Sequence, residues 1–111
     1  MAINVQILDR AGRINMVGRF DFQVHREFKE AYTPLLDNPD VHEIEVEMSK
    51  VDYLDSSALG MLMLLNERAK VVNKPVALLN TSGVVSQVLG VAISARFSIS
   101  SRLANFVVTY Q

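Results

Sequence analysis

Asp55, Ser56 and Ser57 stand together where a polar turn gives way to an apolar run that begins at Ala58. All three residue types start helices, because their side-chain oxygens accept hydrogen bonds from the first N–H groups, which lack partners inside the helix. The run that follows, through Leu59, Met61, Leu62, Met63, Leu64 and Leu65, is apolar enough to predict a largely buried helix. Two hydroxyls and a carboxylate are thus held at the positive end of that helix. A hydroxyl placed there has two uses. It can cap the helix, or it can accept a phosphate, which adds roughly −1.5 to −2 charges at neutral pH at a terminus suited to anions. Residue chemistry alone leaves both open.

Other chemistries lack their residues. A nucleophile elbow needs Gly-x-Ser-x-Gly on a strand–turn–helix, and Ser57 has no flanking glycines of that pattern. His25 and His42 are the only imidazoles, and both sit among polar neighbours, as surface histidines do. The chain has no cysteine, so it has neither a disulfide framework nor a thiolate metal site. It also lacks a Gly-x-x-x-x-Gly-Lys-Ser/Thr phosphate loop. No catalytic residue, metal ligand or cofactor is expected, and the chain reads as a binding module rather than an enzyme. Asp21 is a further candidate. It closes an alternating segment and can cap the helix that follows.

The stretch Asp55–Ser56–Ser57–Ala58–Leu59–Gly60 resembles the signature of bacterial anti-sigma factor antagonists, the STAS domain family. Members usually read Asp-Ser-Ser-Gly-Leu-Gly there, and a partner kinase phosphorylates the second serine, which maps to Ser57. Ala58 departs from that pattern mildly, since Ala is the better helix former at a position inside the helix. Gly18–Arg19–Phe20–Asp21 matches a second family segment and implies that Asp21 lies beside the phosphoserine, with Asp55 and Ser56 completing its surroundings. The resemblance further implies an anti-sigma factor that is a GHKL-type serine kinase, and a PP2C-type serine phosphatase, as partners. It implies a contact surface of Ser57, Ala58, Leu59, Gly60 and Met61. The alternative within the family is a constitutive adaptor in a lipid-transport or stress-sensing assembly, with Ser57 as a cap. The likeness is strongest over residues 1–98, and residues 100–111 form an atypical tail.

The chain has 111 residues, enough for one domain with a real core. Half its residues are apolar, 21% are charged and the net charge is −1, with the basic residues scattered. A clustered basic face is missing, so nucleic acid is not an expected partner. The first residues alternate like a strand rather than forming a charged leader with an apolar core. The longest apolar run falls short of the roughly 20 residues that span a bilayer. These features predict a cytoplasmic protein away from membranes, with monomer as the default.

The elements around Asp55 follow from periodicity. Ile3, Val5 and Ile7 alternate as a strand, residues 9–12 form a turn, and Ile14 and Met16 alternate again, which predicts a β-hairpin. Val24, Phe28, Ala31, Tyr32 and Leu35 have helical spacing, so a helix is expected over residues 22–33, with Pro34 loosening the turn that follows. Ile44, Val46 and Met48 alternate with Glu43, Glu45 and Glu47 in a strand ending at Ser49, with one face partly solvated and an edge nearby. The central helix is expected over residues 57–72, with an exposed side at Asn66, Glu67, Arg68 and Lys70. Met61 and Met63 fall on different sides of it, either as a docking surface or as core.

Residues 76–79 read as a buried parallel strand. Asn80, Thr81 and Ser82 read as the cap of a helix ending near Gly90, and residues 97–99 as a weak strand. Leu103, Phe106, Val107 and Tyr110 favour a helix, although residues 105–110 also suit a strand. The whole is an α/β domain with a mixed, mostly parallel sheet opened by a hairpin, its helices mainly on one face. The STAS resemblance implies the same fold.

Overall fold

A computed structural model of the chain describes residues 2–81 and the backbone of residues 106–110. Strands β1 (Ala2–Leu8) and β2 (Ala11–Phe20) form the hairpin, and a 3-10 turn (Phe22–Val24) leads into helix α1 (His25–Asp37). Strand β3 (Glu43–Leu54), helix α2 (Ser56–Val71), strand β4 (Val76–Thr81) and strand β5 (Phe106–Tyr110) follow. Among the described residues the sheet has five strands in the order β1-β2-β3-β4-β5. β1 is antiparallel to β2, and every other neighbouring pair is parallel. The β2–α1–β3 and β3–α2–β4 connections step the same way across the sheet. Right-handed crossovers therefore place both helices on one face, where they touch each other.

The core lies between that face and the helices. Ile14, Met16, Phe20, Ile44, Val46, Met48, Val76 and Leu78 come from the sheet, Phe28, Tyr32 and Leu35 from α1, and Leu62, Leu65 and Ala69 from α2. Phe20, Phe28 and Tyr32 form an aromatic chain, with ring centroids 5.1 and 5.3 Å apart in tilted and edge-on contacts. The opposite face is polar. Arg13 Nε donates to Glu45 Oε1 at 3.1 Å, Asn15 Nδ2 to Gln6 Oε1 at 3.1 Å, and Asn80 Nδ2 to Glu47 Oε2 at 2.7 Å.

Glu47 gives this face a pH dependence. Burial alone would raise its carboxyl, but hydrogen bonds from Ser49 and Asn80, with Arg13 nearby, hold it below its ordinary value of 4.5. A carboxyl held low in the fold contributes stability that is present above the unfolded value and lost as pH falls through the folded one. Glu47→Gln is expected to flatten the fall of stability below pH 4.5, read as urea midpoints over an acid series. Parallel curves for wild type and variant would contradict this.

Several elements differ from the sequence expectation, each for a physical reason. β3 does not stop at Ser49 but runs to Leu54, and it is the middle strand rather than one near an edge. Its register against β2 slips twice, between Asn15 and Val17 and between Gly18 and Arg19. Each slip adds a residue to β3, so Met48, Val51 and Leu54 all reach the core at a spacing of three, which hides the alternation. α1 begins at His25 and continues through Pro34 to Asp37. The exposed Pro34 leaves one carbonyl to solvent, and burying Leu35 and Leu36, at about 1.5–3 kcal/mol each, offsets the roughly 3 kcal/mol cost of an internal proline.

Asn66 is buried on α2 rather than exposed, because it falls beside the stripe of Leu62, Leu65 and Ala69. Asn80 and Thr81 belong to β4 and not to a cap. Residues 106–110 are a strand parallel to β4, not a helix, as suits the β-branched and aromatic run Phe-Val-Val-Thr-Tyr. The helix expected before Gly90 and the strand at residues 97–99 lie outside the described residues.

Gly12 shows how a strand glycine can be mistaken for a turn. The hairpin loop is only Asp9 and Arg10, with Asp9 at φ 59°, and Gly12 already pairs with Ile7. A Cβ on Gly12 would sit 2.9 Å from Leu35 Cδ2 and 3.2 Å from Leu35 Cγ, so the glycine lets α1 approach the sheet. Gly12→Ala is expected to cost about 1–3 kcal/mol by overpacking, measured by urea unfolding. An unchanged midpoint would show that Leu35 moves aside freely. At this same C-terminal end of α1, Lys74 Nζ donates to the carbonyls of Leu35, Leu36 and Asn38 at 3.0, 2.7 and 2.9 Å, satisfying the helix C-terminus with a cation.

Candidate functional site

The parallel pairing of β2 and β3 ends with Phe20 opposite Leu54, so the next residues, Asp21 and Asp55, leave adjacent strand ends side by side. Each aspartate does the same job. The Asp21 carboxylate accepts the Gln23 N–H at 3.0 Å and starts the 3-10 turn. The Asp55 carboxylate accepts the Ala58 N–H at 3.0 Å and starts α2. Arg19 reaches the same corner, with Nε 3.7 Å from Asp21 Oδ2 and its guanidinium 4.0 Å from the centre of the Tyr53 ring.

Capping by Asp55 decides what the two serines are left to do. Ser56 and Ser57 are the first two residues of α2, where backbone N–H groups have no helical partner. Ser56 is exposed and Ser57 half-buried, and neither hydroxyl hydrogen-bonds to another described residue. The cap is a carboxylate, so Ser57 carries an uncommitted hydroxyl at a helix N-terminus. Beyond it, α2 buries Ala58, Leu62, Leu65 and Ala69 and turns Gly60 and Leu64 outward, with Met61 and Met63 half-buried between. The helix is therefore not sunk on all sides. Ala58 has no exposed surface, so the expectation that it touches a partner does not hold; it anchors the first turn in the core.

Ser57 opens onto a groove of about 460 Å³ between the start of α1 and the outer side of α2. Besides Ser57 it is lined by Phe22, Phe28, Tyr32, Met61 and Leu64, together with Gly60, His25 and Lys29. Phe22 is 62% exposed and stacks on the His25 ring at 4.5 Å. Burial raises the Tyr32 hydroxyl above its ordinary value, with Arg68 opposing, so this wall stays neutral. His25 shares the groove with Ser57, but its Nδ1 lies 2.8 Å from the Phe22 carbonyl and no hydrogen bond joins it to Ser57. Among the described residues no cluster of His, Asp and Glu has the makings of a metal site, and no helix is long and apolar enough to cross a membrane.

A family profile described as "Mlab, STAS domain" matches residues 3–96. The chain belongs to the STAS domain family. A STAS-domain containing protein of Pseudomonas aeruginosa (strain UCBPP-PA14) is 39% identical over 79 residues, covering 71% of this chain and 76% of the relative. Among solved structures, the anti-sigma factor antagonist SpoIIAA in its unphosphorylated form matches with a TM-score of 0.67 at 18% identity, over 81% of this chain and 83% of that one. The phosphorylated form of this Bacillus cell fate determinant matches equally well, with a TM-score of 0.67 at 16% identity over 99% of this chain and 93% of that one. The murine Solute Carrier 26 family member A9 anion transporter matches with a TM-score of 0.70 at 14% identity, over 94% of this chain but 17% of the transporter. These likenesses establish a STAS fold.

Within that fold, Asp21, Asp55, Ser56 and Ser57 come together at one corner, and Leu59, Gly60 and Met61 continue from it along α2. The groove beside them was not expected. Phe22, His25, Lys29 and Leu64 line it, yet the sequence reading takes His25 as an ordinary surface residue. One signal is visible in hindsight: Phe22 lies off the apolar stripe that runs from Val24 to Leu35, as an aromatic residue does when it is not needed for the core.

Proposed function

We propose that this STAS protein is an anti-sigma factor antagonist of a bacterial, cytoplasmic partner-switching pathway, with Ser57 as its phosphoacceptor. The unmodified Ser57 corner docks on an anti-sigma factor that is a GHKL-type serine kinase. Phosphorylation releases or redirects the chain, and a PP2C-type phosphatase reverses it. The observation that carries this reading is that Asp55 caps α2, which leaves the Ser57 hydroxyl unengaged at the mouth of an apolar groove. No base is placed on that hydroxyl, so it is read as a substrate for another enzyme and not as a nucleophile. Incubation with the cognate kinase and labelled ATP is expected to phosphorylate wild type and not Ser57→Ala. Equal labelling of the two would remove the assignment.

Ser57, Leu59, Gly60 and Met61 form the proposed contact surface together with the groove. A Cβ on Gly60 meets nothing within 4 Å, so Gly60→Gln fits the fold and is expected to raise stability by about 0.5–1 kcal/mol as glycine leaves a helix interior. The same side chain enters the groove and is expected to weaken partner binding at least tenfold, about 1.4 kcal/mol. Undiminished binding in calorimetry would place the contact elsewhere.

A second reading keeps the fold as a constitutive adaptor subunit without a phospho-switch. The match to 17% of an anion transporter's chain favours it, since there the fold is one part of a longer chain. The adaptor reading expects Ser57→Asp to bind its partner as wild type does.

A further inference from the structure

Among the described residues β1 forms one edge of the sheet, and its seven residues include no charge, no proline and no break in register. Natural sheets guard such edges with lysine, proline, bulges or a covering element. Here Val5 is 39%, Ile7 51% and Leu8 42% exposed. Pairing with Met16, Ile14 and Gly12 puts Ile3, Val5 and Ile7 on the helix-bearing face, and Ala2, Asn4, Gln6 and Leu8 fall on the other.

The order Ala-Ile-Asn-Val-Gln-Ile-Leu is symmetric in chemistry about Val5. When two copies run antiparallel about a two-fold axis at Val5, Val5 meets Val5, Ile3 meets Ile7, Asn4 meets Gln6, and Ala2 meets Leu8. Apolar side chains face apolar ones and amides face amides on both faces. This self-complementarity is what a two-fold interface requires. A slip of one residue sets Ile3 against Gln6 and Ala2 against Ile7, so the register is specified. Gln6 Oε1 already accepts from Asn15, which leaves the Gln6 NH₂ group to donate to Asn4 of the second copy.

We infer that the β1 edge pairs two copies of this chain antiparallel about Val5, joining their five-stranded sheets into one continuous sheet. The pairing uses none of the residues of the Ser57 corner and stands apart from the phospho-switch. An edge contact of this kind is small, so the association is expected in the micromolar to millimolar range rather than tighter.

Sedimentation velocity of the full chain over that range tests it. Wild type is expected to move from monomer to dimer mass. Val5→Lys, which sets two like charges opposite each other at an exposed position, is expected to raise the dissociation constant at least about tenfold. Its far-ultraviolet circular dichroism and melting curve report whether the variant folds. Wild type that stays monomeric throughout overturns the inference, and so does a folded Val5→Lys that associates equally. Should the variant fail to fold, amide exchange of wild type decides. Protection of residues 2–8 is expected to rise with protein concentration, and concentration-independent exchange overturns the pairing.

Discussion

Phosphorylation of Ser57 is expected to weaken binding of the partner kinase about a hundredfold while leaving the fold intact. That loss is about 2.8 kcal/mol. An unpaired charge trapped at a desolvated interface costs roughly 3–5 kcal/mol, so one phosphate suffices. The carboxylates of Asp21 and Asp55 flank the same corner and add like-charge repulsion to any acidic group the partner brings. The fold itself tolerates the modification, because the phosphate sits at the N-terminus of α2, where the helix dipole and the unpaired N–H groups favour an anion. Titration calorimetry with phosphorylated and unmodified protein, beside thermal melts of both, checks the two halves together. A phosphorylated chain that melts far below the unmodified one would mean that the switch works by unfolding the corner and not by charge at the interface.

The second large effect is structural. Phe28→Ala is expected to cost about 3–5 kcal/mol, a large share of the 5–15 kcal/mol that holds a domain together. Phe28 is 1% exposed and lies between the rings of Phe20 and Tyr32, so truncation opens a cavity where α1 meets the sheet. It also removes one wall of the groove beside Ser57. Thermal unfolding is expected to show a drop on the order of 10–20 °C. A change within the range of surface substitutions, about 0.5 kcal/mol, would contradict the packing described for α1.

The two effects follow from parts of the molecule that the sequence reveals unequally. The hairpin and α1 were legible from their periods, alternation in the strands and one helical stripe from Val24 to Leu35, and α2 from the capping residues ahead of a long apolar run. The second half of β3 was not, because its two bulges replace a spacing of two with one of three between Met48, Val51 and Leu54. Residues 106–110 were ambiguous for another reason. Five residues carry too few turns of any period, and only their parallel partner β4 decides between strand and helix.

The corner itself was half legible. Asp55, Ser56 and Ser57 announce a helix start, but which oxygen takes the Ala58 N–H depends on backbone angles at Asp55 that no residue type specifies. Asp21 joins the corner through strand register, across more than thirty residues of chain. The groove was not legible at all, since it is the space between Phe22 and Leu64 on two helical segments whose packing is set by the core beneath them.

Affinity capture with three forms of the chain tests the proposed switch: unmodified, Ser57→Ala, and protein phosphorylated at Ser57 by the cognate kinase. One kinase-like partner is expected to be held by the first two and lost from the third. Retention of the same partner by all three would contradict the switch and leave this STAS protein as a constitutive adaptor.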